Sequence, residues 1–174
     1  KPMYRVLFVC TGNICRSPTA EGVFRHQVRE AGLEHAIATD SVGLGGWHVG
    51  DPPDSRAVGA ARRRGIDLGD IRARQITADD FTDFDLLLAM DRGHYRDLSR
   101  RCPPDRTDRV RMFLEAARGG AAPGETAPDE TAPGEAAPDV PDPYYGAAAD
   151  FEHALDLIEA GARGWIERLR ADLA

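Results

Sequence analysis

The chain has 174 residues, 42% of them apolar and 29% charged, with a formal net charge of −7. That length supports one domain with its own hydrophobic core, and the composition is that of an ordinary globular protein. No apolar run is long enough to cross a bilayer, no leader pattern opens the chain and no basic face marks a nucleic-acid binder, so a cytoplasmic protein without membrane or nucleic-acid partners is expected.

In chain order, the apolar run at 4–9 (YRVLFV) predicts a strand, and SPTAEGVFRHQVREAG after it carries apolar residues at helical spacing. Ser17 is the expected N-cap of that helix and Pro18 its first residue. A second strand is expected over 36–43 (AIATDSVG), then a helix over 54–65 closed by Gly65. The continuous run FDLLLAM (84–90) has the length of a strand covered on both faces. A helix over 91–101, a fourth strand over 109–114 and a long amphipathic helix from Phe151 through Leu169 complete the pattern. Strands alternating with helices predict an α/β fold, a parallel sheet with helices on both faces in a flavodoxin-like or Rossmann-like three-layer sandwich. The segment 119–139 departs from it, repeating Ala-Pro with Gly or Asp and Glu. It holds five acidic residues and no basic one, which leaves −2 for the remainder. It is expected to be a disordered or extended insertion in a single domain spanning 1–174.

Three cysteines without an export signal predict reduced thiols. Two of them, Cys10 and Cys15, lie in the loop CTGNICRS between the first strand and helix. Gly12 lets that loop curl so that successive N–H groups point inward as an anion nest. The helix that follows adds free N–H groups and a positive dipole end. Arg16 supplies a charged fork that fits two oxyanion oxygens. Cys10 faces this positive concavity, which favours thiolate over thiol. An oxyanion bound above a sulfur nucleophile is the equipment for phosphoryl transfer through cysteine. A Walker loop would need a further glycine and a lysine, and zinc would need more ligands than Cys102 and the scattered histidines offer.

The stretch VCTGNICRSPTAE resembles the phosphate loop of the low-molecular-weight protein tyrosine phosphatases. The resemblance continues through GGWHVGDPPDSRA, RARQIT, FDLLLAMD and PDPYYG, nearly the whole chain outside 119–139. It implies a four-stranded parallel sheet and a hydrolysis in two steps that needs neither metal nor other cofactor. Cys10 would attack phosphorus and Arg16 would clamp the equatorial oxygens. Asp142 would protonate the leaving phenolate and then deprotonate the attacking water, although an Asp before proline is as often simply a turn residue. Thr11, Gly12, Asn13, Ile14 and Cys15 would complete the phosphate loop. The Ser17 hydroxyl would stabilise the thiolate, and Asn13 would hold the loop in shape against Ser41. Trp47, Tyr144 and Tyr145 would wall a slot suited to a flat phosphorylated ring; the alternative for Trp47 is core packing.

The resemblance further implies that Cys15 forms a disulfide with an oxidised Cys10, with Cys102 a bystander. Phosphotyrosine proteins are the expected partners, and a monomer the expected state. Two departures from the family pattern, His94 where asparagine is usual and Leu44 where threonine is common, bear on loop packing. Three rivals share the fold: an arginine phosphatase, from which Ile14 in place of threonine argues away; an arsenate reductase, which needs a further cysteine pair; and a phosphotyrosine-binding module without activity. The arginine runs at 62–64 and 100–101 are expected to be solvated helix faces rather than a docking patch.

Overall fold

A computed structural model describes residues 2–117 and 137–173. Most of the predicted insertion, 119–136, lies outside the described residues. Four strands, β1 (Tyr4–Cys10), β2 (Ile37–Gly43), β3 (Leu86–Ala89) and β4 (Val110–Met112), form one parallel sheet in the order β2-β1-β3-β4. The helices are α1 (Arg16–Glu30), α2 (Ser55–Arg62), the short α3 (Asp80–Asp83), α4 (Arg92–Arg101) and α5 (Ala148–Leu173).

Alternation along β1 divides the core in two. Val6, Phe8 and Cys10 face α1, α2 and α5, whereas Leu7 and Val9 face Phe81, Phe84 and Leu98 of α3, the residue beyond it and α4. Both faces of the central strands are covered, which is why Leu86–Ala89 reads as unbroken apolar sequence. Phe8 packs against Phe24 and Phe113 with ring centroids 5.3 and 5.8 Å apart, joining β1 to α1 and to the 3-10 turn Phe113–Ala116. That turn replaces the second half of the fourth strand expected over 109–114. Trp165 of α5 donates its indole N–H to the Phe113 carbonyl at 2.7 Å.

Three further expectations are revised. Helix α1 begins at Arg16 with Cys15 at the N-cap, and the Cys15 side chain makes no capping bond; Ser17 is already inside the first turn. The last residues of the expected insertion are built into the body. Ala137 is buried, and Asp139 accepts the Arg92 N–H at 2.9 Å. The arginine run at 62–64 is not simply solvated, because Arg64 contacts Glu152, Asp156 and Glu159 and clamps the end of α2 to α5.

Order β2-β1-β3-β4 places the next connections from β1 and β3 on opposite faces, so a crevice opens beyond their carboxyl ends. The CTGNICRS loop leaves β1 there, and Asp91 leaves β3 beside it.

Candidate active site

The loop at 10–17 is held by a backbone oddity and the hydrogen bonds around it. Asn13 has φ 59°, in the left-handed region that asparagine tolerates better than most residues. Its side-chain amide donates to Ser17 Oγ at 2.8 Å and Ser41 Oγ at 3.0 Å, and its Oδ1 accepts the Arg74 N–H at 3.0 Å. Ser41 in turn donates to Glu21 Oε1 at 2.7 Å. Burial raises the Glu21 carboxyl, and the bond from Ser41 opposes that rise. Gly43 allows β2 to approach closely, since a Cβ there would stand 2.9 Å from the Gly12 carbonyl carbon. Among the described residues, the N–H groups of Gly12 through Ser17 donate to no protein acceptor, as in an anion nest.

Cys10 ends β1 and is buried, with its sulfur 2.9 Å from Ser17 Oγ. Ser17 Oγ already accepts from Asn13, and its other acceptor, the Val42 carbonyl, is 3.4 Å away. A sulfur without a proton is therefore the better recipient of the Ser17 hydrogen. Cys15 is also buried; burial first and then the neighbouring Cys10 push its thiol up to about 12. All three cysteines are free.

Arg16 is buried and aimed by two acceptors that lie far off in sequence: Nη1 donates to Asp91 Oδ2 at 2.8 Å and to the Val140 carbonyl at 3.0 Å. Its other terminal nitrogen lies 3.7 Å from Asp142 Oδ2. Burial raises the Asp91 carboxyl, but the His94 backbone N–H and Arg16 reverse this and hold it below the ordinary range. Asp91 Oδ1 caps α4 by accepting the His94 N–H at 2.9 Å. The His94 ring places Nε2 2.9 Å from Thr11 Oγ1. Nδ1 lies 3.2 Å from Asp91 Oδ1 but lacks hydrogen-bond geometry. Burial, which outweighs Asp91, lowers this imidazole to about 4. A neutral ring with the proton on Nδ1 keeps a lone pair from facing the Asp91 carboxylate and leaves Nε2 to accept the Thr11 hydroxyl.

A cavity of about 200 Å³ is lined by Cys10, Thr11, Gly12, Ile14, Cys15 and Arg16 of the loop. Trp47, His48, Asp142, Tyr144 and Tyr145 complete its lining. Asn13, Ser17 and Ser41 are buried behind the loop rather than exposed to the cavity. Trp47 is 75% exposed, so core packing is not its role. Tyr144 and Tyr145 meet edge to face at 4.9 Å between centroids. Asp142 is both a turn residue and a cavity residue: Oδ1 accepts the Tyr144 N–H at 3.1 Å while Oδ2 faces Arg16. The larger groove between α1 and α5, about 660 Å³, lies away from this loop. Among the described residues, no group of three His, Cys, Asp or Glu side chains is placed to hold a metal, and no helix is long and apolar enough to cross a membrane.

Asp91 and Arg74 were not among the residues expected from sequence, and His94 was expected only to bear on loop packing, which its contact with Thr11 bears out. The signal available for Asp91 was its position: an acidic N-cap immediately after a buried strand, where open α/β sheets bind ligands.

A parallel α/β sheet with a cysteine-arginine loop at its carboxyl edge defines the class of protein, and sequence comparison places it more closely. The family model for low molecular weight phosphotyrosine protein phosphatase matches residues 5–174. A low molecular weight protein-tyrosine-phosphatase of Streptomyces coelicolor is 42% identical over 171 residues, covering 96% of this chain and 94% of the relative. Among solved structures, a protein tyrosine phosphatase from Entamoeba histolytica with Hepes in its active site superposes with a TM-score of 0.84 at 30% identity, covering 98% of this chain and 99% of that one. YfkJ from Bacillus subtilis gives 0.83 at 35% identity, covering 99% and 98%. The chain belongs to the low molecular weight phosphotyrosine protein phosphatase family.

Proposed function

We propose that this protein hydrolyses phosphotyrosine in proteins through a phosphocysteine. The observation that carries the reading is the shared cavity, whose lining brings Cys10 and Arg16 together with Asp142 and the aromatic side chains Trp47, Tyr144 and Tyr145. The phosphoryl group enters with its oxygens toward the N–H groups of the loop and the Arg16 fork. The Cys10 thiolate, accepting a hydrogen bond from the Ser17 hydroxyl, attacks phosphorus as the S–P bond forms and the P–O bond to the ring breaks. Asp142 gives its proton to the departing phenolate oxygen. In the second step Asp142 takes a proton from water, whose oxygen attacks phosphorus as the S–P bond breaks, releasing phosphate and returning the thiolate. Trp47, Tyr144 and Tyr145 suit a flat ring better than a short phosphoserine, whose phosphorus would stop short of a recessed sulfur.

Cys102 is buried among the residues on the face of the sheet opposite Cys10, a poor position for the thiol relay that arsenate reduction requires. The test is release of phosphate from a phosphotyrosine peptide in the presence of EDTA by wild type and Cys10→Ser. Hydrolysis that survives EDTA and disappears in the variant is the expected outcome. No release by freshly reduced wild type, or undiminished release by the variant, would sink the reading.

A further inference from the structure

The Asp142 carboxyl is about half exposed, and one of its oxygens lies 3.7 Å from Arg16, beyond hydrogen-bond length. Because Arg16 is the group that would grip the incoming phosphoryl oxygens, that contact is an unsuitable anchor for the acid during reaction. The Asp142–Tyr145 turn needs a tether that substrate leaves alone. Arg56, the second residue of α2, provides one. Its Nη2 donates to the Tyr144 carbonyl at 2.9 Å. Its guanidinium also lies over the rings of Tyr144, 5.4 Å from the centroid, and of Phe151 in α5, 4.7 Å away.

The arginine is itself locked in place. Asp54 caps α2 by accepting the Arg56 N–H at 2.8 Å, and the same carboxylate grips the guanidinium through Nε at 3.1 Å and Nη2 at 3.0 Å. The Asp54 N–H donates to the Ile14 carbonyl at 2.7 Å. A continuous series of contacts thus runs from the cysteine loop at Ile14 through Asp54 and Arg56 to Tyr144, whose N–H holds Asp142. A fork that holds a carboxylate and a carbonyl at once, while stacking on two rings, is a task for which lysine is a poor substitute.

We propose that Arg56 is a positioning residue for the acid: it registers the Asp142–Tyr145 turn against the loop that carries Cys10. The inference rests on the phosphatase reading above. It predicts a selective defect, because a misplaced acid matters most where the leaving group most needs a proton. The experiment measures kcat/KM of wild type, Arg56→Ala and Arg56→Lys on phenyl phosphate and on 4-nitrophenyl phosphate, whose phenol is far more acidic. Inhibition by inorganic phosphate reports the anion site, and thermal melting reports the fold.

Arg56→Ala is expected to lose about tenfold on phenyl phosphate, a fraction of what a general acid contributes. On 4-nitrophenyl phosphate it should lose much less, with phosphate inhibition and melting close to wild type and Arg56→Lys in between. In an Asp142→Asn background the Arg56→Ala loss should disappear, since both changes remove the same function. Equal losses on the two esters, or a loss that persists in the Asp142→Asn background, would overturn the proposal. Hydrolysis of neither ester by wild type would instead bring down the phosphatase reading, and this inference with it.

Discussion

His94 shows how one side chain turns a departure from the family pattern into a measurable property. Buried beside Asp91 and Arg16, with Asp142 and Asp139 farther off, it is lowered from 6.5 to about 4, chiefly by burial. Between those values the unfolded chain binds a proton that the folded chain refuses, so stability is full above 6.5 and declines as pH falls toward 4. The linked loss is about 3 kcal/mol at most. Urea unfolding across this window should therefore show a steeper decline for wild type than for His94→Asn, whose side chain does not titrate. Parallel curves would mean that the imidazole is protonated in the folded state. Asn13 makes a related point: family resemblance supplied its partner Ser41, whereas its bonds to Ser17 and to the Arg74 N–H, 61 residues away, were not expected.

The starts of α1, α2 and α4 were legible within a residue or two and the ends of α2 and α5 within three or four, but roles within the first turn were not. Ser17 reads as a cap because serine favours caps; here its hydroxyl is directed at Cys10 and Asn13, and the helix begins at Arg16. The amphipathic stripe of α5 was plain from spacing, yet the closeness of its approach was not. Gly164 lies against the Ala116 carbonyl so tightly that a Cβ would collide with backbone, and a Cβ at Gly161 would stand 2.6 Å from Phe113. Gly164→Ala should raise intrinsic helix propensity but destabilise the protein by about 3 kcal/mol through overpacking. Chemical denaturation decides the matter, because a gain in stability would mean that the turn at Phe113–Ala116 yields without cost.

Across the molecule, the sheet separates Cys102 from the other two cysteines. The redox reading inferred from family resemblance thus acquires a spatial test. Peroxide would oxidise the Cys10 thiolate to sulfenic acid with release of hydroxide, and the Cys15 thiol would condense with it, expelling water and forming a disulfide. Part of what keeps Cys15 protonated is the charge of Cys10, and that charge is gone once Cys10 is oxidised. Activity lost to peroxide should return with added thiol in wild type and in Cys102→Ala, and return poorly in Cys15→Ala. Full recovery of Cys15→Ala would remove Cys15 from the scheme.

Local spacing was enough to reveal the alternating strands and helices and the cysteine-arginine loop, because each depends on residues within about one turn or one strand of one another; Asp142 as candidate acid came from family resemblance, since an Asp before proline reads locally as a turn. Aspartate beside Arg16, imidazole beside Thr11 and guanidinium beside Tyr144 could not be read in the same way. Those pairs are separated by 75, 83 and 88 residues. They meet because parallel strands bring distant loops to one edge of the sheet, and because buried charges and hydroxyls must find partners there whatever their place in the chain.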